Sequence, residues 1–60
     1  MQIRIITTAF GPVRLEAVDS SKCKAYWKEK FIGIIYNGIN ADEKFLKKNS
    51  EYIIKILFNS

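Results

Sequence analysis

The side chains best suited to binding chemistry in this 60-residue chain fall within one decapeptide: Lys22, Lys24, Tyr26, Trp27, Lys28 and Lys30. Lysines neutralise phosphates and aromatic rings stack on bases, so interleaving the two suits a nucleic-acid strand. The same residues suit a solvated cationic face whose aromatics belong to the core. Trp27, the only tryptophan, has a strong claim to be buried. With Glu29 as their one acid, residues 21–30 hold +3 of the chain's net charge of +4. Arginine, the usual residue for phosphate and guanine contacts, occurs only as Arg4 and Arg14.

Catalytic constellations are missing. The chain has no histidine, which removes the commonest general base and zinc ligand and the Ser-His and Cys-His nucleophile systems. Asp42 and Glu43 are the only adjacent acids, and a helix start accounts for them. Gly11, Gly33 and Gly38 are too widely spaced for a nucleotide-binding loop. The expectation is a protein with no catalytic residues, no metal and no cofactor. The single cysteine, Cys23, cannot form an internal disulfide, which favours a reducing, cytoplasmic setting. Lys22 and Lys24 beside it would activate a thiol, whereas a small apolar core residue is the simpler reading.

These residues need elements to hold them. Residues 2–8 and 13–18 alternate as the arms of a β-hairpin, with Phe10-Gly11-Pro12 as the turn. Ile3, Ile5 and Thr7 share one face of the first arm; Arg4, Ile6 and Thr8 share the other. Residues 19–30 read two ways. Asp19-Ser20-Ser21 resembles a helix N-cap, followed by Cys23, Tyr26, Trp27 and Phe31 at helical spacing. Ala25, Trp27 and Phe31 also fit a strand period, with Lys28-Glu29-Lys30 as a turn. The helix is preferred on its cap.

Residues 31–36 are apolar throughout and suit a central strand, with Gly33 marking a bulge or close approach. Asn37-Gly38 is a turn. Asn40 and Glu43 resemble a capping box for a helix ending near Lys48, before Asn49-Ser50. Residues 51–58 then read as a last strand, with Tyr52, Ile54, Ile56 and Phe58 on one side. The expected fold is one small α+β domain spanning residues 1–60. In it an antiparallel sheet carries one or two short helices. The alternative is an SH3-like or OB-like barrel, should residues 22–30 be extended.

No apolar run approaches the roughly 20 residues of a membrane helix, and the N-terminus lacks a signal-peptide pattern. The chain reads as a complete, soluble gene product. Its function then reads as non-catalytic occupation of a surface on a larger macromolecule. Isoleucine, lysine and asparagine supply more than a third of the residues. That suggests an AT-rich genome and a phage- or mobile-element-type inhibitor or adaptor of a host protein. Direct nucleic-acid binding through segment 22–31 is the alternative. An exposed edge strand, residues 2–8 or 51–58, would also serve to pair two copies, relieving the small core.

Overall fold

The computed structural model describes residues 2–59. Four strands precede one helix: β1 (Ile3–Thr8), β2 (Gly11–Asp19), β3 (Lys22–Trp27), β4 (Lys30–Ile35) and α1 (Glu43–Phe58). The strands form an antiparallel meander in the order β1-β2-β3-β4, and the helix lies against one face. The α+β class and antiparallel sheet stand. The sheet is open, so the barrel alternative does not hold.

The first hairpin follows its alternation. Ile6 and Thr8 of β1 and Val13 and Leu15 of β2 point inward and are buried. The turn is Ala9-Phe10, closed by the Thr8–Gly11 pair, and Gly11 adopts φ +107°, which glycine accepts freely. Thr8 Oγ1 donates to the Gly11 carbonyl at 2.7 Å and accepts from the Phe10 N–H at 3.1 Å.

Residues 19–30 are not helical, which corrects the preferred reading. Asp19 Oδ1 accepts from the Ser21 N–H at 2.8 Å and from its hydroxyl at 2.9 Å, closing the β2–β3 turn. An aspartate that satisfies the N–H two residues on does so equally in a helix cap and in a turn, so the cap signal was ambiguous. These bonds also hold the Asp19 carboxyl below its ordinary value. Beyond the turn Cys23 and Ala25 are buried at strand spacing.

Residues 51–58 are the second half of α1, not a strand. Leu46, Ser50 and Ile54 are buried, and Ile53 packs beside them: a helical period that the apolar run concealed. Asn49-Ser50 does not end the helix, because Ser50 Oγ donates to the Leu46 carbonyl at 2.8 Å and lies fully buried. The cap is Asp42, whose side chain accepts from the Lys44 N–H at 3.2 Å, rather than Asn40. With 51–58 helical, the strand expected at the centre, 31–36, becomes the edge strand β4.

A bulge sits in β4, where Tyr26 pairs with Phe31 and Ala25 with Gly33, leaving Ile32 over. Gly33 has φ +152° and lies under Ile53, so the bulge and the close approach read from the sequence are both present. The β4–α1 connection is pinned from two sides. A Cβ on Gly38 would lie 2.6 Å from the Ser20 carbonyl oxygen, so only glycine fits. Arg4 Nη1 donates to the Ile39 and Ala41 carbonyls at 3.1 and 2.9 Å.

Candidate binding face

Because α1 covers only one face, every second strand residue on the other faces solvent. Strand register sets these residues in rows. Ile5 lies opposite Arg14, Arg14 opposite Tyr26, and Tyr26 opposite Phe31. The next row runs Ile3, Glu16, Lys24, Ile34. Ile5 and Phe31 are 65% and 55% exposed, values far outside the core range, and Ile3, Val18 and Ile34 are exposed as well.

The row of aromatics is ordered by its neighbours. The Arg14 guanidinium stands 4.7 Å from the Tyr26 ring centre, and the Tyr26 and Phe31 rings meet edge-on at 5.7 Å. Arg14 Nε also reaches Glu16 Oε2 at 3.4 Å, so the cation is held on the face rather than extended into solvent. A shallow hollow of about 250 Å³ lies between Ile5, Pro12, Arg14, Tyr26, Lys28 and Glu29. Small-molecule sites usually enclose about 300–1,000 Å³, so this surface suits a macromolecule better than a small ligand. A larger hollow of about 460 Å³ runs along the solvent side of α1 between Asp42 and Glu51. A single helix lines it, and it brings no aromatic–cation row together.

The structure divides the six residues singled out in the sequence. Lys24 and Tyr26 stand on the open face. Lys22 opens β3 at its margin, with Nζ 3.8 Å from Asp19 Oδ2. Trp27 points the opposite way: its Nε1 donates to the Phe10 carbonyl at 3.0 Å and its ring meets Phe58 edge-on at 5.4 Å. It staples the hairpin to the end of α1. Lys28 lies at the hairpin tip with Nζ 4.6 Å from the Trp27 ring centre, and Lys30 begins β4 opposite Trp27.

Ile3, Ile5, Arg14, Phe31 and Ile34 complete the face and were not singled out. The signal for Ile3 and Ile5 was present, since alternation put them opposite Arg4, Ile6 and Thr8. What decided which face became core was the docking of α1, and those residues read as a strand. Arg4 does not belong to the face: its guanidinium is committed to two carbonyls and stands 3.9 Å from Glu43 Oε1. Cys23 is fully buried, and desolvation raises its thiol above the ordinary value, which makes it a core residue.

No protein-family model matches the chain, and no characterised protein or solved structure is significantly similar to it. Among the described residues no helix is long and apolar enough to cross a membrane.

Proposed function

We propose that the chain is a non-catalytic binding protein that covers a surface of a larger protein with the open face of its sheet. The row Ile5–Arg14–Tyr26–Phe31 carries this reading. Its apolar ends, Ile5 and Phe31, are exposed, with Arg14 and the half-buried Tyr26 in register between them, and exposed apolar surface of this kind marks interaction sites. Tyrosine and arginine at its centre are the residue types that dominate binding energy at interfaces. Arg14 and Lys24 favour a partner surface whose apolar patch carries acidic groups. An inhibitor or adaptor of the kind carried by phages and mobile elements suits a chain of this size and isoleucine–lysine–asparagine composition.

The nucleic-acid reading rests on one observation, that Arg14 and Lys24 lie on the open face beside the half-buried Tyr26 ring and the exposed Phe31 ring. One experiment separates the two. Immobilised protein is compared with the double variant Tyr26→Asp and Phe31→Asp in extracts of the native host, with and without nuclease. Both positions lie on the open face, away from the buried core, so the variant is expected to keep a cooperative thermal transition. The proposal expects one stoichiometric protein retained by the natural chain and lost by the variant, regardless of nuclease. Loss of all capture on nuclease treatment, or equal capture by both forms, overturns it. The nucleic-acid reading instead requires steeply salt-dependent binding that Lys24→Glu with Lys28→Glu abolishes.

A further inference from the structure

The sheet has two edges, β1 and β4, and they are built differently. β4 carries the bulge at Ile32, the glycine at 33 and a leading lysine, all devices that discourage pairing with another strand. β1 carries none of them. Its sequence Ile-Arg-Ile-Ile-Thr-Thr keeps unbroken register with β2 from Ile3 to Thr8 and is dominated by β-branched residues.

The pairing on its inner side shows which backbone groups β1 leaves free. The Ala17 N–H donates to the Gln2 carbonyl at 2.9 Å, which makes Gln2 and Ala17 a hydrogen-bonded pair. In an antiparallel ladder such pairs alternate, so Arg4, Ile6 and Thr8 also bond β2. Ile3, Ile5 and Thr7 therefore turn their N–H and C=O groups outward. Their side chains are the exposed ones of β1, on the same face as Arg14 and Tyr26.

The geometry points to a symmetric homodimer in which β1 pairs antiparallel with β1 of a second copy about a two-fold axis at Ile5. In that register Ile5 faces the partner's Ile5, and Ile3 faces the partner's Thr7. Every outward-directed group of these residues then meets its complement, and no side chain changes face. A shift by one residue would oppose groups that already bond β2. The arrangement is isologous, as a two-fold interface must be, and consumes the unprotected edge. It also joins the two exposed rows end to end across an eight-stranded sheet, from Phe31 through Tyr26, Arg14 and Ile5 to the partner's Ile5 and onward. The one charged side chain of β1, Arg4, is turned to the inner face and tied to carbonyls, so it does not oppose the contact.

Sedimentation equilibrium of the isolated chain tests the pairing, with dissociation expected at about 1–100 µM, as for a small interface. The net charge of +4 on each copy opposes association, so raising the salt concentration strengthens it. Ile5→Pro removes the outward N–H of an edge residue together with an exposed side chain, and is expected to weaken the dimer by about 100-fold while the circular dichroism spectrum is kept. Register is read by oxidation: Ile5→Cys links to itself, since Cα atoms in such a pair stand about 5.5 Å apart. Ile3→Cys links to Thr7→Cys of a second copy when the two are mixed and does not link to itself. A monomer up to about 1 mM, or a dimer in which Ile5→Cys does not link, overturns the inference.

Discussion

Arg4 illustrates how one side chain can replace several contacts in a chain this short. Its guanidinium bonds two carbonyls of the β4–α1 connection and approaches Glu43 at the first turn of the helix. Arg4→Met keeps the length and apolar stem but orphans both carbonyls. The expected loss is about 2 kcal/mol, read as a lower urea midpoint with unchanged slope. A stability loss below about 0.5 kcal/mol would show that water replaces the guanidinium without cost. At this scale the sequence was only partly legible. Tyr26 and Lys24 stand together on the open face of the sheet, whereas Trp27 does not, because adjacent strand residues point to opposite faces. In the preferred helix Tyr26 and Trp27 could share one side; in the strand that forms they cannot. The role of Arg4 was not legible, because nothing local reveals a carbonyl lying more than thirty positions away.

The elements were legible where a pattern had one physical cause. The first hairpin and the bulge at Gly33 follow from alternation and from the conformational freedom of glycine, whereas the turn after β4 closes one step beyond Asn37-Gly38, from the Ala41 N–H to the Gly38 carbonyl. The C-terminal segment was not legible, because residues 52–58 are almost all apolar and satisfy both strand and helix periods. Only the buried positions 46, 50 and 54, four apart, identify the helix, and Ser50 disguised that spacing. The β3–β4 turn falls at Lys28-Glu29, where the strand reading of residues 19–30 puts it, but without the usual turn residues. Lys28 and Glu29 adopt φ +52° and +64°, a pair of left-handed residues usually supplied by Asn-Gly. Each such residue is strained, so Glu29→Gly should stabilise the chain by about 1 kcal/mol and raise its melting temperature by about 5 °C. Calorimetry would show this directly; an unchanged or lower transition would mean that Glu29 makes a compensating contact.

At the scale of the whole molecule, one helix is asked to close the core of a four-stranded sheet. Ile6, Val13, Leu15, Cys23 and Ala25 lie on the covered face, and Leu46 and Ile54 are the only large helix side chains fully buried against them. Burying an aliphatic side chain of this kind contributes about 1.5–3 kcal/mol, which makes the helix a major part of the total stability of a domain this small. The excess charge, read from the sequence as a property of residues 21–30, is spread in space over an open face, a hairpin tip and an edge.

The order of the elements also fixes the order in which the chain can become safe from aggregation. Each strand pairs with its neighbour in sequence, so the meander can form hairpin by hairpin as the chain emerges, with short loops to close and rapid kinetics. Its oily underside nevertheless stays uncovered until Glu43–Phe58, which follows all four strands, has been made. A chain ending at residue 42 should therefore collapse into a soluble-to-insoluble transition rather than a native-like sheet, binding a hydrophobic dye and sedimenting at low speed. Adding the separate peptide 43–58 should restore solubility. A truncated chain that stays monomeric and melts cooperatively would show instead that the sheet stands without its helix.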